Sequence, residues 1–178
     1  GAELLVVVNG SPFELKKDDV RLNHAVARIT ETGLPLVYVN QVCGQDDLAF
    51  DGGSFVLNAD RSLALQAKWW QEDLVVTQWS KSKAGWICAE GDRHPQPGRL
   101  ENVYQAMMLG LRDYVVKNGF PGVVLGLSGG IDSALSAVVA ADALGPEKVH
   151  CVMMPSPYTS QESLDDAAEL AANLSVRI

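Results

Sequence analysis

The chain has 178 residues, 47% of them hydrophobic, which suffices for a core and excludes general disorder. Lys plus Arg is 14 against 22 Asp plus Glu, a net charge of -8, which argues against a broad nucleic-acid or anionic-membrane surface while leaving room for one phosphate site. No apolar run approaches the roughly 18 residues of a membrane span, and no basic segment followed by an apolar one marks a signal peptide.

Residues 1–79 read as strand, helix, strand and then a run of short strands. Residues 4–8 form a continuous apolar run that predicts a buried strand. Asn9, Gly10, Ser11 and Pro12 read as a loop. The spacing of Leu22, Ala25, Val26 and Ile29 predicts a helix over 18–32, stopped by Gly33 with Pro35 beyond it. Residues 36–40 predict a second strand. Residues 49–50 and 53–57, joined by Asp51-Gly52, read as a hairpin, and 63–67 and 74–79 as two more strands. Residues 80–99 show no period and carry Gly, Pro and charge, so a linker is expected there.

The second half is more regular. A helix is expected over 101–118, with Val103, Met107, Leu111 and Val115 on one face. A strand follows at 123–127, a helix at 132–144, a strand at 149–153, and a helix to about 173 opened by a Thr159/Glu162 capping box. This order predicts a parallel α/β arrangement. Both halves are mildly acidic. The chain starts at Gly1 without a Met and ends on Val176-Arg177-Ile178, which reads as the opening of a strand, so a segment of a longer protein is expected.

The strongest chemical signal is Leu127-Ser128-Gly129-Gly130-Ile131-Asp132-Ser133, between a strand and a helix. A Gly-Gly turn at a helix N-terminus gathers backbone N–H groups into an anion site, most naturally for phosphate. Ser128 and Ser133 add hydroxyls, and Asp132 suits a magnesium ion bridging carboxylate and phosphate. The loop is neither a Walker A motif nor Gly-x-Gly-x-x-Gly. It does match the Gly-x-Ser-x-Gly nucleophile elbow of α/β-hydrolases through Gly126, Ser128 and Gly130. Such a hydrolase needs a downstream His, and only His150 is available, inside a predicted strand. A third reading is a glycine turn capped by Asp132 or Ser133 that holds no ligand.

Ser128-Gly129-Gly130-Ile131-Asp132-Ser133 after an apolar strand resembles the pyrophosphate loop of the ATP pyrophosphatases. With Leu109-Gly110-Leu111-Arg112-Asp113-Tyr114 and Val152-Met153-Met154-Pro155-Ser156-Pro157-Tyr158, it resembles the synthetase domain of glutamine-dependent NAD synthetases. Upstream, Val8-Asn9-Gly10-Ser11-Pro12-Phe13, Leu36-Val37-Tyr38-Val39-Asn40-Gln41 and Phe50-Asp51-Gly52 resemble the C-terminal part of that family's nitrilase-like glutaminase domain. The fold class implied is α/β. It comprises the C-terminal part of a nitrilase-like domain (1–79), a linker (80–99) and the start of a parallel ATP-pyrophosphatase domain (100–178), of the adenine-nucleotide alpha-hydrolase-like type.

The resemblance also implies a function, an ATP-dependent amidation of deamido-NAD through an adenylate, with ammonia from glutamine. Gly126, Leu127, Ser128, Gly129, Gly130, Ile131, Asp132 and Ser133 would then bind ATP, and Asp132 would hold Mg2+. Met153 and Met154 would lie near the adenine, and Ser11 and Lys17 would hold glutamine. No catalytic residue is assigned, because the family's glutaminase Glu, Lys and Cys match nothing here and fall upstream of residue 1. The implied partners are small molecules (ATP, glutamine, deamido-NAD) and a second copy of the full-length protein, with no nucleic acid and no membrane. The 178 residues alone are expected to be inactive. Ser128 as a hydrolase nucleophile and a non-catalytic nucleotide-binding module remain the alternatives.

Three cysteines, Cys43, Cys88 and Cys151, at unrelated spacings suit a reducing, cytoplasmic setting and show no zinc pattern. Cys43 reads as a bystander, Cys151 as core and Cys88 as part of the linker. Trp69, Trp70 and Trp79 read as packing, and His24 and His94 have no partner at ligand spacing.

Overall fold

The computed structural model describes residues 1–178 as two compact units, Gly1–Cys43 with Leu48–Ala106, and Gly44–Asp47 with Met107–Ile178.

In the first unit, β1 (Leu5–Asn9), α1 (Lys17–Thr32) and β2 (Leu36–Asn40) form a parallel crossover, registered from Leu5 opposite Leu36 to Asn9 opposite Asn40. β5 (Phe55–Leu57) and β6 (Leu63–Gln66) extend the sheet antiparallel, in the order β1-β2-β5-β6. The faces alternate as strand geometry requires. Leu36, Tyr38, Phe55 and Leu57 pack under Ala25 and Ile29 of α1, with Tyr38 and Phe55 stacked at 4.9 Å. Val56 faces the other way and joins Ala64, Leu65, Ala67 and Cys88 in a second cluster. Gly33 closes α1 in a left-handed conformation, its N–H donating to the Ile29 carbonyl at 2.7 Å.

Three expectations for this region need correction. Residues 49–50 and 53–57 are not two arms of a hairpin. The hairpin here is β3 (Val42–Gln45) with β4 (Leu48–Asp51), turning at Asp46, whose φ is 51°. Gly52 and Gly53 (φ 67° and 63°) then redirect the chain so that β5 pairs with β2, and Gly53 lies so close to the Trp69 ring that a Cβ there would sit 2.3 Å from it. No strand forms over 74–78. Leu74 and Val76 are 95% and 88% exposed, an apolar run with no sheet to join. Residues 80–99 are not structureless, since β7 (Trp79–Ser82) and β8 (Gly85–Cys88) make a hairpin that carries Cys88 into the second cluster.

α2 (Arg99–Lys117) belongs in part to each unit. Residues 44–47 group with the second unit because the Gly44 N–H donates to Asp113 Oδ2 at 2.8 Å. A Cβ on Gly44 would lie 2.9 Å from the Leu109 carbonyl.

The second unit pairs β9 (Val123–Gly126) parallel to β10 (Val149–Val152), from Val123 opposite Val149 to Gly126 opposite Val152. α3 (Ile131–Leu144) and a 3-10 turn (Pro146–Lys148) connect them. After α4 (Gln161–Leu174) the chain returns beside β10, where Arg177 bridges His150 in parallel. The core gathers Leu127, Ala137, Ala140, Val149, Cys151, Ala167 and Ala171. Small side chains on α3 and α4 let both helices approach closely. The cap of α4 is Ser160, whose Oγ accepts from the Ser163 N–H, and not Thr159, which accepts instead from the Ser156 N–H. No helix is long and apolar enough to cross a membrane.

Candidate functional site

Gly126 is the last residue of β9, at the carboxyl end of a parallel strand, where α/β folds place their ligands. The Leu127 N–H donates to the Val152 carbonyl at 3.0 Å and its side chain is 2% exposed, so Leu127 anchors the loop and offers a ligand only backbone. Gly129 has φ 80° and passes against the first turn of α4, where a Cβ would stand 2.3 Å from the Ser163 carbonyl oxygen. Gly130 is the N-cap of α3, with no side chain capping it, so neither Asp132 nor Ser133 caps the helix. The N–H groups of Ile131, Asp132 and Ser133 therefore point out of the helix end unsatisfied by its own ladder.

The two hydroxyls brace the loop. Ser133 Oγ donates to the Gly130 carbonyl at 2.9 Å and accepts from the Ser128 N–H at 3.2 Å. Ser128 Oγ lies 3.1 Å from Ser133 Oγ and accepts from the Gly130 N–H at 3.3 Å. With the Ser133 hydrogen directed to Gly130, Ser128 is the donor of the Oγ pair. Both hydroxyl hydrogens stay within the loop, so the groups free to meet an anion are backbone amides.

Asp132 and Ile131 are exposed in the first turn of α3. No group of three His, Cys, Asp or Glu side chains is arranged to hold a metal ion. A lone exposed carboxylate at a helix N-terminus can give magnesium one ligand, since that ion keeps most of its waters and takes one or two carboxylates together with phosphate oxygens. Met154 reaches back over the strand end, its Cε 2.6 Å from where a Gly126 Cβ would be.

A hydrolase site does not assemble. The partners of the Ser128 hydroxyl are Ser133 and Gly130, and no imidazole is among them. His150 lies in β10 opposite Val124, away from the strand end.

At the carboxyl ends of β1 and β2, in the first unit, Ser11 is 9% exposed. Its N–H donates to Asn40 Oδ1 at 2.9 Å and its Oγ accepts from Arg21 Nε at 3.0 Å. Arg21 Nη1 holds both oxygens of Asp51, at 2.8 and 2.9 Å. Lys17, the first residue of α1, pairs with Glu14. Ser11 and Lys17 share no hydrogen bond, and neither lines the cleft of about 490 Å³ beside them, whose walls include Phe13, Lys16, Asp18, Asp51 and Asn102. Sequence reasoning missed Arg21, Asn40 and Asp51. The signal was a charged residue at 21 in step with the buried Ala25 and Ile29, on the face that α1 turns to the sheet.

Burial pushes the Cys88 and Cys151 thiols above their ordinary range and makes both poor nucleophiles. Cys43 is half-buried, with Gln41 Nε2 at 2.7 Å from its sulfur. A folded sample treated with a thiol reagent is expected to label rapidly at Cys43 alone, and at all three cysteines after denaturation. Fast labelling of Cys151 in the native protein would contradict the core described above.

The first segment, residues 1–85, matches the family model for carbon-nitrogen hydrolases, and residues 103–178 match that for NAD synthase. Along its whole length the chain is 56% identical to the glutamine-dependent NAD(+) synthetase of Rhodobacter capsulatus, and it spans 32% of that protein. Over 98% of its length it is 43% identical to the corresponding Acinetobacter baylyi protein, again covering 32% of it. The solved structure of glutamine-dependent NAD+ synthetase from Acinetobacter baumannii superposes with a TM-score of 0.90 at 44% identity, over 98% of this chain and 33% of that one. The chain thus spans about a third of the relatives it matches.

Proposed function

We propose that this chain, which belongs to the glutamine-dependent NAD(+) synthetase family, supplies the pyrophosphate cradle of an ATP-dependent amidation and part of the pocket that holds the amide donor. The whole protein would convert deamido-NAD to NAD. The substrate carboxylate attacks the α-phosphorus of ATP and pyrophosphate leaves. Ammonia from glutamine then attacks the acyl-adenylate and AMP leaves. The observation that carries this reading is the loop 126–133, a glycine turn with uncapped helix amides at the carboxyl end of a parallel strand. The Acinetobacter baumannii relative was solved in complex with adenosine diphosphate, which supports an adenine nucleotide as a ligand in this reading.

Each residue has a role in this reading. The amides after Gly130 take the phosphate oxygens where negative charge builds as pyrophosphate departs. Gly129 keeps the loop close to α4, and Ser128 and Ser133 hold its shape. Met153 and Met154 border the adenine. Asp132 would hold Mg2+, which when bound offsets phosphate charge. Ser11 and Lys17 would hold glutamine in the first segment. A homo-oligomeric full-length protein belongs to the same proposal. No nucleophile of glutamine hydrolysis is assigned within residues 1–178.

Calorimetric titration of the chain with ATP and with pyrophosphate, each with and without magnesium, tests the reading. Binding is expected to need magnesium and to weaken about tenfold in Asp132→Asn, which removes the charge and keeps the shape. Magnesium-independent binding, or an unaltered affinity in the variant, would count against Asp132 as the ligand. Ester hydrolysis lost in Ser128→Ala would favour the hydrolase instead.

A further inference from the structure

Arg21 is bound within the protein through all three of its guanidinium nitrogens, which make five hydrogen-bond contacts. Nη1 takes the two Asp51 oxygens, Nη2 takes the carbonyls of Ser11 (2.8 Å) and Pro12 (3.0 Å), and Nε takes Ser11 Oγ (3.0 Å). Arg21 and Asp51 are 7% and 4% exposed. Asn40 completes the clamp. Its Oδ1 accepts from the Ser11 N–H, and its Nδ2 donates to the Ser11 carbonyl, Asp51 Oδ1 and the Gly52 carbonyl. A pair of buried charges seldom repays its desolvation against an apolar pair of the same size. Its product here is a serine held from both sides by groups 10 and 29 residues away in sequence.

The chemistry of that serine follows from its partners. A hydroxyl has one hydrogen and two lone pairs. The Arg21 Nε–H, fixed in the guanidinium plane by Asp51, occupies one lone pair and turns the Ser11 hydrogen away from itself. A hydroxyl that accepts from a cation is a stronger donor. We infer that Arg21 is a positioning residue that presents the Ser11 O–H as a fixed donor to an acceptor oxygen, carboxylate or carbonyl, of the amide substrate. Arg21 itself is turned to Asp51 and the loop carbonyls and is 7% exposed. The inference rests on the reading of Ser11 as a glutamine-holding residue.

The test uses the full-length gene product. The KM for glutamine is measured in NAD formation for Ser11→Ala, Arg21→Lys and the double variant, with rates normalised to the ammonia-driven rate of the same preparation. Each single variant is expected to raise the glutamine KM about tenfold, the worth of one charge-assisted hydrogen bond. On this inference Arg21 acts on glutamine through the Ser11 hydroxyl, so the double variant is expected to match Ser11→Ala in glutamine KM. An unchanged KM in Ser11→Ala overturns the reading of Ser11 itself. A raised KM there with an unchanged one in Arg21→Lys, or a double variant whose effect is the product of the singles, overturns the positioning role alone. If Arg21→Lys is insoluble, Asp51→Asn, which leaves Arg21 in place and loosens the clamp, takes its place in the same cycle. A glutamine KM unchanged in Asp51→Asn, or effects that multiply with those of Ser11→Ala, then overturns the positioning role in the same way.

Discussion

Replacing Asp51 by Ala is expected to cost the first unit about 3–5 kcal/mol, the usual penalty for breaking a buried ion pair from one side. The substitution strips Arg21 Nη1 of both acceptors and takes one from Asn40 Nδ2, in a site 4–7% exposed that water reaches poorly. Asp51→Asn retains one acceptor oxygen, so a smaller loss of about 1–3 kcal/mol is expected. All four tryptophans lie between residues 69 and 86, inside the first unit, so their fluorescence in a urea titration reports on it. The midpoint should fall in the order wild type, Asp51→Asn, Asp51→Ala, with little change in slope. Equal midpoints for wild type and Asp51→Ala would mean that Arg21 finds other acceptors and that the network is not a structural clamp. Removing both charges, with Arg21→Met joined to an apolar residue at 51, should cost less than Asp51→Ala alone, because no orphaned charge is left behind.

Legibility in the sequence divides by sequence distance. The four helices follow from local spacing, and the expected 18–32 and 132–144 differ from Lys17–Thr32 and Ile131–Leu144 by one residue each. The loop 126–133 is legible because its parts are contiguous: an apolar strand, two glycines and a helix start. The strands after residue 40 are not. Asp51-Gly52 has the composition of a hairpin turn, yet Asp51 is committed to Arg21, 30 residues away, and the turn moves to Asp46. The 79–88 hairpin carries a mixed, Gly-containing sequence with one half-turned face, so it shows no period. Ser11 stands out locally as a loop serine after a strand, but its surroundings come from α1, β2 and β4 together. No window of contiguous residues contains them.

Gly129→Ala should disable the candidate nucleotide loop more completely than loss of any side chain in it. The residue sits at φ 80°, a conformation that costs an L-residue about 1–2 kcal/mol on its own. The added methyl would also stand 2.3 Å from the Ser163 carbonyl oxygen and 2.8 Å from the Ser163 Cα. Those atoms are backbone in the first turn of α4, so no rotamer change relieves the clash. Either the loop lifts from α4 or α4 shifts, and over-packing of this kind costs about 1–3 kcal/mol more. The second unit has no tryptophan, so helical ellipticity in urea is the readout, together with calorimetry for magnesium and ATP. The expected result is a destabilised unit that no longer binds detectably. Gly130→Ala separates backbone strain from simple crowding. Gly130 lies at φ -85° and ψ 155°, which alanine adopts freely, and its nearest atom would be Ser128 Oγ at an ordinary 3.4 Å. Its stability should therefore stay close to that of the wild type, at most the few tenths to about 1 kcal/mol by which alanine is a poorer N-cap than glycine. If Gly129→Ala were as stable as Gly130→Ala, the loop would not be held against α4, and its amides would lack the fixed geometry that a pyrophosphate cradle requires.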